Sequence, residues 1–400
     1  MLKIRFGLLS RIVLAIVLGI ALGAFMPVPV VRGVNTVVVF IDQFIKFMVP
    51  LIIVGLVTPA IAETGRGAGK MLLVTVAIAY GSTLFAGYLG YFVSSAAFPS
   101  MVSSGAGQAL SAAREFKPYV IIAIPPVLNV MTALVFSFMV GLGMVFAEAD
   151  ALKRVFSDFR EVVVRTVSSA LVPLLPFFIF GIFLDMTAAG RTGMVLRQFA
   201  AIIAVFSLLT LVVIAIQFCI AGAIARKNPL RAMWTMLPAY LTALGTSSSA
   251  ATIPVTRAQT LANGVRREIA DFTVPLCATV HLAGSTVKIV SCAVALMFMA
   301  GRGAEVSLTT FSMFIVMTGI VMVAAPGVPG GAIMAALGIL ESILGFGKEE
   351  LALMITLYVA TDSIGTACNI AGDGAIAMVV DRLFPRRDAA GCGGPLRNMA

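Results

Sequence analysis

The sequence GTSSSAATIP, residues 245–254, places three consecutive serines in the middle of an apolar segment that spans residues 230–262. A second apolar segment, residues 305–346, is interrupted in the same way by APGVPGG, residues 325–331. Such stretches are unfavourable in the middle of a straight membrane helix, because the backbone groups that they free need partners in protein or water. Each segment is therefore predicted to form a re-entrant hairpin, in which two half-helices meet at a tip inside the membrane.

The composition supports a membrane environment for the whole chain. Of its 400 residues, 60% are hydrophobic and only 12% are charged, and the mean hydropathy is +1.06. Soluble domains are about 45–50% apolar and about 25% charged. These values exclude a water-soluble enzyme, a disordered protein and a secreted disulfide scaffold, and they predict an all-α protein that crosses the membrane many times.

The remaining apolar segments complete a predicted fold of eight transmembrane helices and two re-entrant hairpins. Six spans precede the first hairpin, at residues 8–28, 35–62, 70–98, 119–147, 160–187 and 197–225. Two more, 268–300 and 349–384, lie between and after the hairpins, and each is polar near its middle. We therefore expect residues 1–226 to form mostly a scaffold, residues 227–386 a polar-cored transport half, and residues 387–400 a tail. Paired interrupted segments are typical of the substrate site of a secondary transporter.

The basic residues predict the orientation in the membrane. The net charge is +10, and most lysines and arginines fall in loops that this topology places on the cytoplasmic side. Such a bias indicates that both termini lie in the cytoplasm and that the chain is a multi-pass protein of the cell (inner or plasma) membrane. Because this pattern explains the positive charge, no nucleic-acid partner is predicted, and the lipid bilayer is the expected surrounding.

Two carboxylates and an amide mark the last span. Asp362 and Asp373 are eleven residues apart, about three turns of an α-helix, so they lie near one face. Asn369 precedes Asp373 by one turn on that face. A carboxylate inside the membrane is costly and is by default functional. The alternative is that the span ends early and leaves Asp373 at the membrane surface.

His281 and Lys288 lie within the span 268–300. His281, the single histidine, falls at the polar break of the span, which predicts ion or proton handling; the alternative is a histidine satisfied in the core. Lys288 is too far from the ends of the span to reach water. A buried pairing with an acidic group is therefore predicted.

The serine-rich tip predicts a binding site for a carboxylate. Its hydroxyls and the N–H groups at the start of a half-helix attract anions. The alternative is that Ser247, Ser248 and Ser249 are small residues that allow close helix packing.

Together these motifs resemble the glutamate-transporter family, the dicarboxylate and amino acid:cation symporters. The resemblance rests on the tip GTSSSAATIPVT (245–256), the tip GVPG (327–330) and the Asp-x6-Asn-x3-Asp pattern that starts at Asp362. It covers nearly the whole chain in the order and spacing of its elements. It implies eight spans, two hairpins, a homotrimer and an elevator movement of the transport half against the scaffold.

The resemblance also implies roles for individual residues. Asp362 matches the group that holds a substrate α-ammonium, and Asn369 with the Ser248–Ser249 tip matches the groups that hold its α-carboxylate. Asn369 and Asp373 match ligands of a bound sodium ion. The predicted substrate-binding set is Ser248, Ser249, Ser285, Val328, Asp362, Gly365, Thr366 and Asn369. The predicted coupling set is His281, Lys288, Asn369 and Asp373, and the predicted gate is Gly327, Pro329 and Gly330.

Two departures from the family pattern shape the predicted function. Gly365 stands where acidic-substrate members have an arginine, and Ala283 stands where the family has a sodium-binding aspartate. We therefore predict secondary active transport of a small L-amino acid with a neutral side chain, such as Ala, Ser or Thr. Sodium dependence is expected to be weak or absent, with exchange or proton coupling through His281 or Asp373 and with Lys288 neutralising Asp373.

The residues leave other classes of function to consider. A sodium- or proton-coupled symporter of acidic amino acids or dicarboxylates would need another cation, Lys288 or a protonated His281, for the second carboxylate. A channel is a remote alternative, because no repeated filter motif is present. The lack of a phosphate-binding loop argues against ATP-driven primary transport, and no His-Glu-x-x-His motif suggests an enzyme. No cofactor and no metal site are predicted; the expected coupling ion is the proton, with sodium disfavoured.

Overall fold

The computed structural model describes residues 8–64, 70–101, 116–190, 192–323, 325 and 330–384. Over these residues the protein is helical, without strands. Six helices in this part of the chain are long and apolar enough to cross a membrane. They comprise Val28–Ala62, Lys70–Met101, Asp150–Ala188, Val195–Ala225, Arg267–Met299 and Asp362–Leu383. These findings confirm an all-α membrane protein.

The part of the chain before residue 226 forms seven helices in the described ranges. They are α1 (Leu8–Gly23), α2 (Val28–Thr64), α3 (Lys70–Met101), α4 (Val130–Phe146), α5 (Asp150–Thr166), α6 (Val172–Ala188) and α7 (Thr192–Ala225). A single π-helical turn, Val167–Leu171, joins α5 to α6. Helix α4 begins eleven residues later than the predicted span at 119, because Pro125 and Pro126 lack the N–H groups that a helix needs. Asn129 then caps the helix by accepting from the Thr132 N–H at 2.8 Å.

The chain after residue 226 forms short helices around central breaks. They are α8 (Pro229–Thr235), α9 (Leu237–Thr246), α10 (Ser249–Ala262), α11 (Arg267–Val280), α12 (Ala283–Met299), α13 (Leu308–Val323), α14 (Gly331–Leu344), α15 (Lys348–Ala360) and α16 (Asp362–Leu383). Helices α9 and α10 form a hairpin whose tip is Ser247–Ser248. Helices α13 and α14 pack together as the second predicted hairpin; most of its tip, residues 326–329, lies outside the described residues.

Both later spans are broken near their middles, where the sequence is polar. His281 and Leu282 separate α11 from α12, and Thr361 separates α15 from α16. Each break leaves N–H groups at the start of one helix and carbonyl groups at the end of another without intrahelical partners. Polar backbone groups are therefore available deep inside the protein.

The helices pack in two groups. Helix α1 packs against α6, and α2 packs against α4, α5 and α6. Helices α3 and α7 instead lie against α12 and α16. Gly90 allows the close approach of α3 to α12, because a Cβ there would lie 3.1 Å from the Val287 carbonyl oxygen. Two helices that precede residue 226, α3 and α7, therefore pack on the polar-cored helices that follow it.

Candidate functional site

A narrow cavity of about 40 Å³ lies where the hairpin tip meets the two broken spans. Its polar lining consists of Ser247, Ser249, Thr279, Ser285, Tyr358, Asp362, Thr366 and Asn369. Its apolar lining consists of Ala278, Leu282, Ala325 and Ala332. The fold thus brings together five of the eight residues that the sequence predicts for substrate binding.

Asp362 is the charged side chain among the described residues that line this cavity. It is the first residue of α16, where the helix dipole stabilises a carboxylate. Its Oδ2 atom accepts a hydrogen bond from the Gly330 N–H at 2.9 Å. Gly330 has φ +75°, a left-handed conformation that glycine adopts without strain. The predicted gate glycine therefore fixes the second hairpin to the predicted ammonium ligand.

Asn369 holds the start of α12 against α16. Its Oδ1 atom accepts from the backbone N–H of Gly284 at 2.7 Å, and its Nδ2 atom donates to the Ser285 hydroxyl at 3.2 Å. Tyr358 also donates to that hydroxyl, at 3.0 Å. Sequence reasoning missed Tyr358, whose apolar surroundings in the sequence give no sign that its hydroxyl faces the cavity.

The three serines of the tip occupy different positions and make different contacts. Ser248 caps α10 by accepting from the Ala251 N–H at 3.3 Å, whereas Ser247 and Ser249 line the cavity. The hydroxyl of Ser248 thus serves the start of α10, and Ser247, which the predicted substrate-binding set does not include, lies at the cavity. Ser247 reaches this position through a left-handed backbone, with φ 49°.

The other predicted residues near the cavity have separate positions. Thr366 lines the cavity and donates to the Asp362 carbonyl oxygen at 2.9 Å. Gly365 lies beside Lys288, since a Cβ at position 365 would be 3.3 Å from the Lys288 ammonium nitrogen. Gly327, Val328 and Pro329 lie outside the described residues.

His281 and Asp373 form a second, fully buried polar group. The Nδ1 atom of His281 lies 2.9 Å from Oδ1 of Asp373. Its Nε2 atom lies 3.1 Å from the Ser82 hydroxyl, which also accepts from Gln217 at 2.8 Å. Oδ2 of Asp373 has no hydrogen-bond partner among the described residues. The four side chains connect α3 and α7 to the broken span and the last helix, and Ser82 and Gln217 are the members that the sequence did not reveal.

The side chains around His281 and Asp373 do not provide the oxygen ligands of the sodium site that the resemblance implies. Ala283 offers no side-chain oxygen, and the imidazole of His281 occupies Oδ1 of Asp373. Sodium requires several hard oxygen ligands to replace its water.

Lys288 lies elsewhere than predicted. Its ammonium nitrogen donates to the carbonyl oxygens of Tyr358 and Thr361, each at 3.2 Å, and lies 3.8 Å from Oδ1 of Asp362. The predicted pairing with Asp373 is therefore wrong. The carbonyl groups at the end of α15 attract a cation to that helix end, while His281 already pairs with Asp373.

Comparison with known proteins gives the family. The sodium:dicarboxylate symporter family matches residues 8–383. A serine/threonine transporter, SstT, of Streptococcus thermophilus (strain ATCC BAA-250 / LMG 18311) is 26% identical over 94% of this chain and 96% of its own length.

Two vertebrate relatives match the chain over a shorter region. Excitatory amino acid transporter 1 of Rattus norvegicus is 28% identical over 64% of this chain and 47% of its own length. The neutral amino acid transporter B(0) of Bos taurus is 27% identical over 64% of this chain and 48% of its own length. The relatives are amino acid transporters and not enzymes, as the sequence predicted. The chain belongs to the sodium:dicarboxylate symporter family, the group that its hairpin and last-span motifs resemble.

Proposed function

We propose that this protein carries a small, neutral L-amino acid across the cell membrane. The observation that carries the proposal is the charge arrangement of the cavity. Asp362 supplies a carboxylate for an α-ammonium, and the start of α10, marked by Ser249, supplies a helix N-terminus for an α-carboxylate. A zwitterionic amino acid has an ammonium group for Asp362 and a carboxylate group for the start of α10.

The side-chain preference follows from residues near Asp362. Gly365 provides no bidentate cation for a second carboxylate, and a buried, unpaired carboxylate costs several kcal/mol. Ser285 and Thr366 line the cavity and offer hydroxyls to a substrate such as serine or threonine. The named activity of the Streptococcus relative, which aligns along nearly its whole length, supports this choice.

The coupling ion in this proposal is a proton held between His281 and Asp373. A hydrogen-bonded imidazole–carboxylate pair that holds one proton carries no net charge. The side chain of Ser82 contacts Nε2 of His281 and also lines a separate cavity of about 280 Å³ between α3, α7 and α16. Ser82 and Gln217 are the polar side chains of its described lining, and both contact His281. Transport is then independent of sodium or only weakly dependent on it.

The movement in this proposal is an elevator movement within a homotrimer. Eight spans, two re-entrant hairpins and cytoplasmic termini complete the arrangement. Because α3 and α7 pack on α12 and α16, we assign both to the moving unit, with α1, α2 and α4–α6 as the scaffold. Lys46 on α2 and Glu341 on α14 form an ion pair at 2.9 Å, and sliding would separate them.

A second candidate is transport of an acidic amino acid or a dicarboxylate, coupled to sodium or protons. The position of Lys288 next to Gly365 favours it, because this buried positive charge lies close behind the cavity wall and would attract a second carboxylate through its field. The description of the family as sodium:dicarboxylate symporters also favours it.

Counterflow in liposomes tests the choice between the two candidates. The purified protein is reconstituted with unlabelled serine inside, and uptake of radiolabelled serine, threonine, alanine, aspartate and glutamate is compared. We expect saturable counterflow of serine, threonine and alanine, and loss of this counterflow in Asp362→Ala. A strong preference for aspartate or glutamate would contradict the proposal and support the second candidate.

A further inference from the structure

Lys288 lies behind the wall of the cavity and not within it. It is fully buried on α12, and the described cavity lining does not include it. Its ammonium nitrogen lies 3.5 Å from the centre of the Tyr358 ring, whose edge carries the hydroxyl that faces the cavity. The lysine therefore acts on the cavity through electrostatics, with no direct contact to a bound molecule.

The charges around Lys288 come from a small set of groups. Among the residues that the structure describes, Asp362 on α16 is the acidic group within 4 Å, at 3.8 Å. Tyr358 on α15 and Cys292 on α12 are the neighbouring titratable groups. Since the Lys288 ammonium donates hydrogen bonds to two carbonyl oxygens, it neutralises Asp362 across a gap and leaves the carboxylate free to accept other donors.

We propose that Lys288 is a tethered counter-cation for Asp362, which keeps the substrate site electroneutral both when it is empty and when it holds a zwitterion. This inference rests on the proposed function. With Lys288, the empty site has one positive and one negative charge, and an amino acid adds one of each. Without Lys288, the site has a buried negative charge in both states, and burial of such a charge is strongly unfavourable.

The arrangement determines which substrates bind without a mobile cation. A neutral amino acid leaves the total charge at zero. A hydroxy acid that lacks the ammonium group, or an amino acid with a second carboxylate, adds a net negative charge to the buried site. Lys288 therefore favours zwitterions and removes the need for sodium at the substrate site, independently of the proton proposed at His281.

The Lys288→Met variant tests the inference, with Lys153→Met as the matched control on the exposed face of α5. Serine affinity is measured in the full-length protein, in choline buffer and in sodium buffer, at neutral and at acidic pH. We expect Lys288→Met to weaken binding in choline at neutral pH by more than about tenfold. Sodium should restore part of this loss, because it supplies the positive charge that the variant lacks, and Lys288→Arg should retain cation-free binding. Acid should weaken binding by the variant more than binding by the unmodified protein, because protonation of Asp362 removes the carboxylate that binds the α-ammonium. The control should bind as the unmodified protein does.

Other outcomes separate this inference from the proposed function. If the unmodified protein binds no amino acid, the proposed function fails. If it binds serine and Lys288→Met weakens binding without any new dependence on sodium or pH, the lysine only stabilises the helix end and the inference is overturned. If Lys288→Met does not fold, the double variant Lys288→Met/Asp362→Asn is made and its thermal unfolding is measured. Recovery of folding in the double variant supports the charge pair, and failure to recover overturns it.

Discussion

The Nδ1 atom of His281 lies 2.9 Å from Oδ1 of Asp373, and neither side chain is exposed. In this chain the imidazole of His281 therefore pairs with the Asp373 carboxylate, which the family resemblance assigns to sodium binding. The histidine also contacts Ser82 and Gln217 from two further helices, so a change in its protonation would alter contacts to α3 and α7. This relationship links the proposed coupling ion to the helices that we assign to the moving unit.

Replacement of His281 by glutamine tests the proton site. Glutamine can donate to Asp373 but does not titrate, so we expect uptake driven by a proton gradient to fall strongly, while serine exchange persists. Reconstituted protein is assayed for both reactions, and Lys153→Met serves as the control. An unchanged response of net uptake to the proton gradient would contradict a role for His281 in proton coupling.

Substitution of Gly372 by alanine tests whether this polar group requires close packing. A Cβ at position 372 would lie 2.6 Å from Oε1 of Gln217 and 2.6 Å from Cε1 of His281. Overpacking of this kind costs about 1–3 kcal/mol, so the thermal unfolding midpoint in detergent should fall.

The matched control for this change is Gly143→Ala on α4. A Cβ at position 143 meets no atom within 4 Å, and alanine is favoured over glycine in a helix by about 1 kcal/mol. Its midpoint should be unchanged or slightly higher. Equal effects of the two substitutions would show that the packing around His281 is looser than the structure indicates.

The all-helical class and the positions of the breaks in the described residues could be predicted from the sequence, for identifiable reasons. The breaks at His281 and Thr361 fall where polar residues interrupt apolar spans, and the hairpin tip falls at the three serines. Asp362 and Asn369 are prominent because carboxylates and amides are rare inside membrane spans.

The sequence could not predict which helices pack together or which of their side chains pair. Lys288 has a choice of acidic partners in the sequence, and only the break of the last span places carbonyl oxygens and Asp362 around it. Ser82 and Gln217 lie in α3 and α7, which belong to the predicted scaffold. No local feature of the sequence indicates that these two helices pack on α12 and α16.

Introduction of arginine at position 365 tests the basis of substrate choice. Because the Lys288 nitrogen lies 3.3 Å from the position of the new Cβ, Gly365→Arg alone places two cations together and should reduce stability and transport. Gly365→Arg combined with Lys288→Met relieves this conflict and should bind aspartate better than serine. The panel of radiolabelled amino acids measures the change. Efficient aspartate transport by Gly365→Arg alone would contradict the assigned position of Lys288.

Paired cysteines at positions 46 and 341 test the movement. The native side chains join α2 to α14 through an ion pair at 2.9 Å. We expect cross-linking of Lys46→Cys/Glu341→Cys to change in extent with serine and to block uptake until the bond is reduced. Each single variant is the control, because the native Cys219 is exposed. Constant cross-linking under every substrate condition, with full uptake, would contradict an elevator movement between these helices.

Net uptake of radiolabelled serine into liposomes tests the central claim most directly. Vesicles containing the purified protein are placed in sodium-free choline buffer, with and without an inward proton gradient, and the assay is repeated with sodium outside. We predict saturable uptake in choline that the proton gradient increases and that added sodium leaves essentially unchanged. Uptake that is absent in choline and appears only with sodium would contradict the proposal that His281, Asp373 and Lys288 replace the mobile cation.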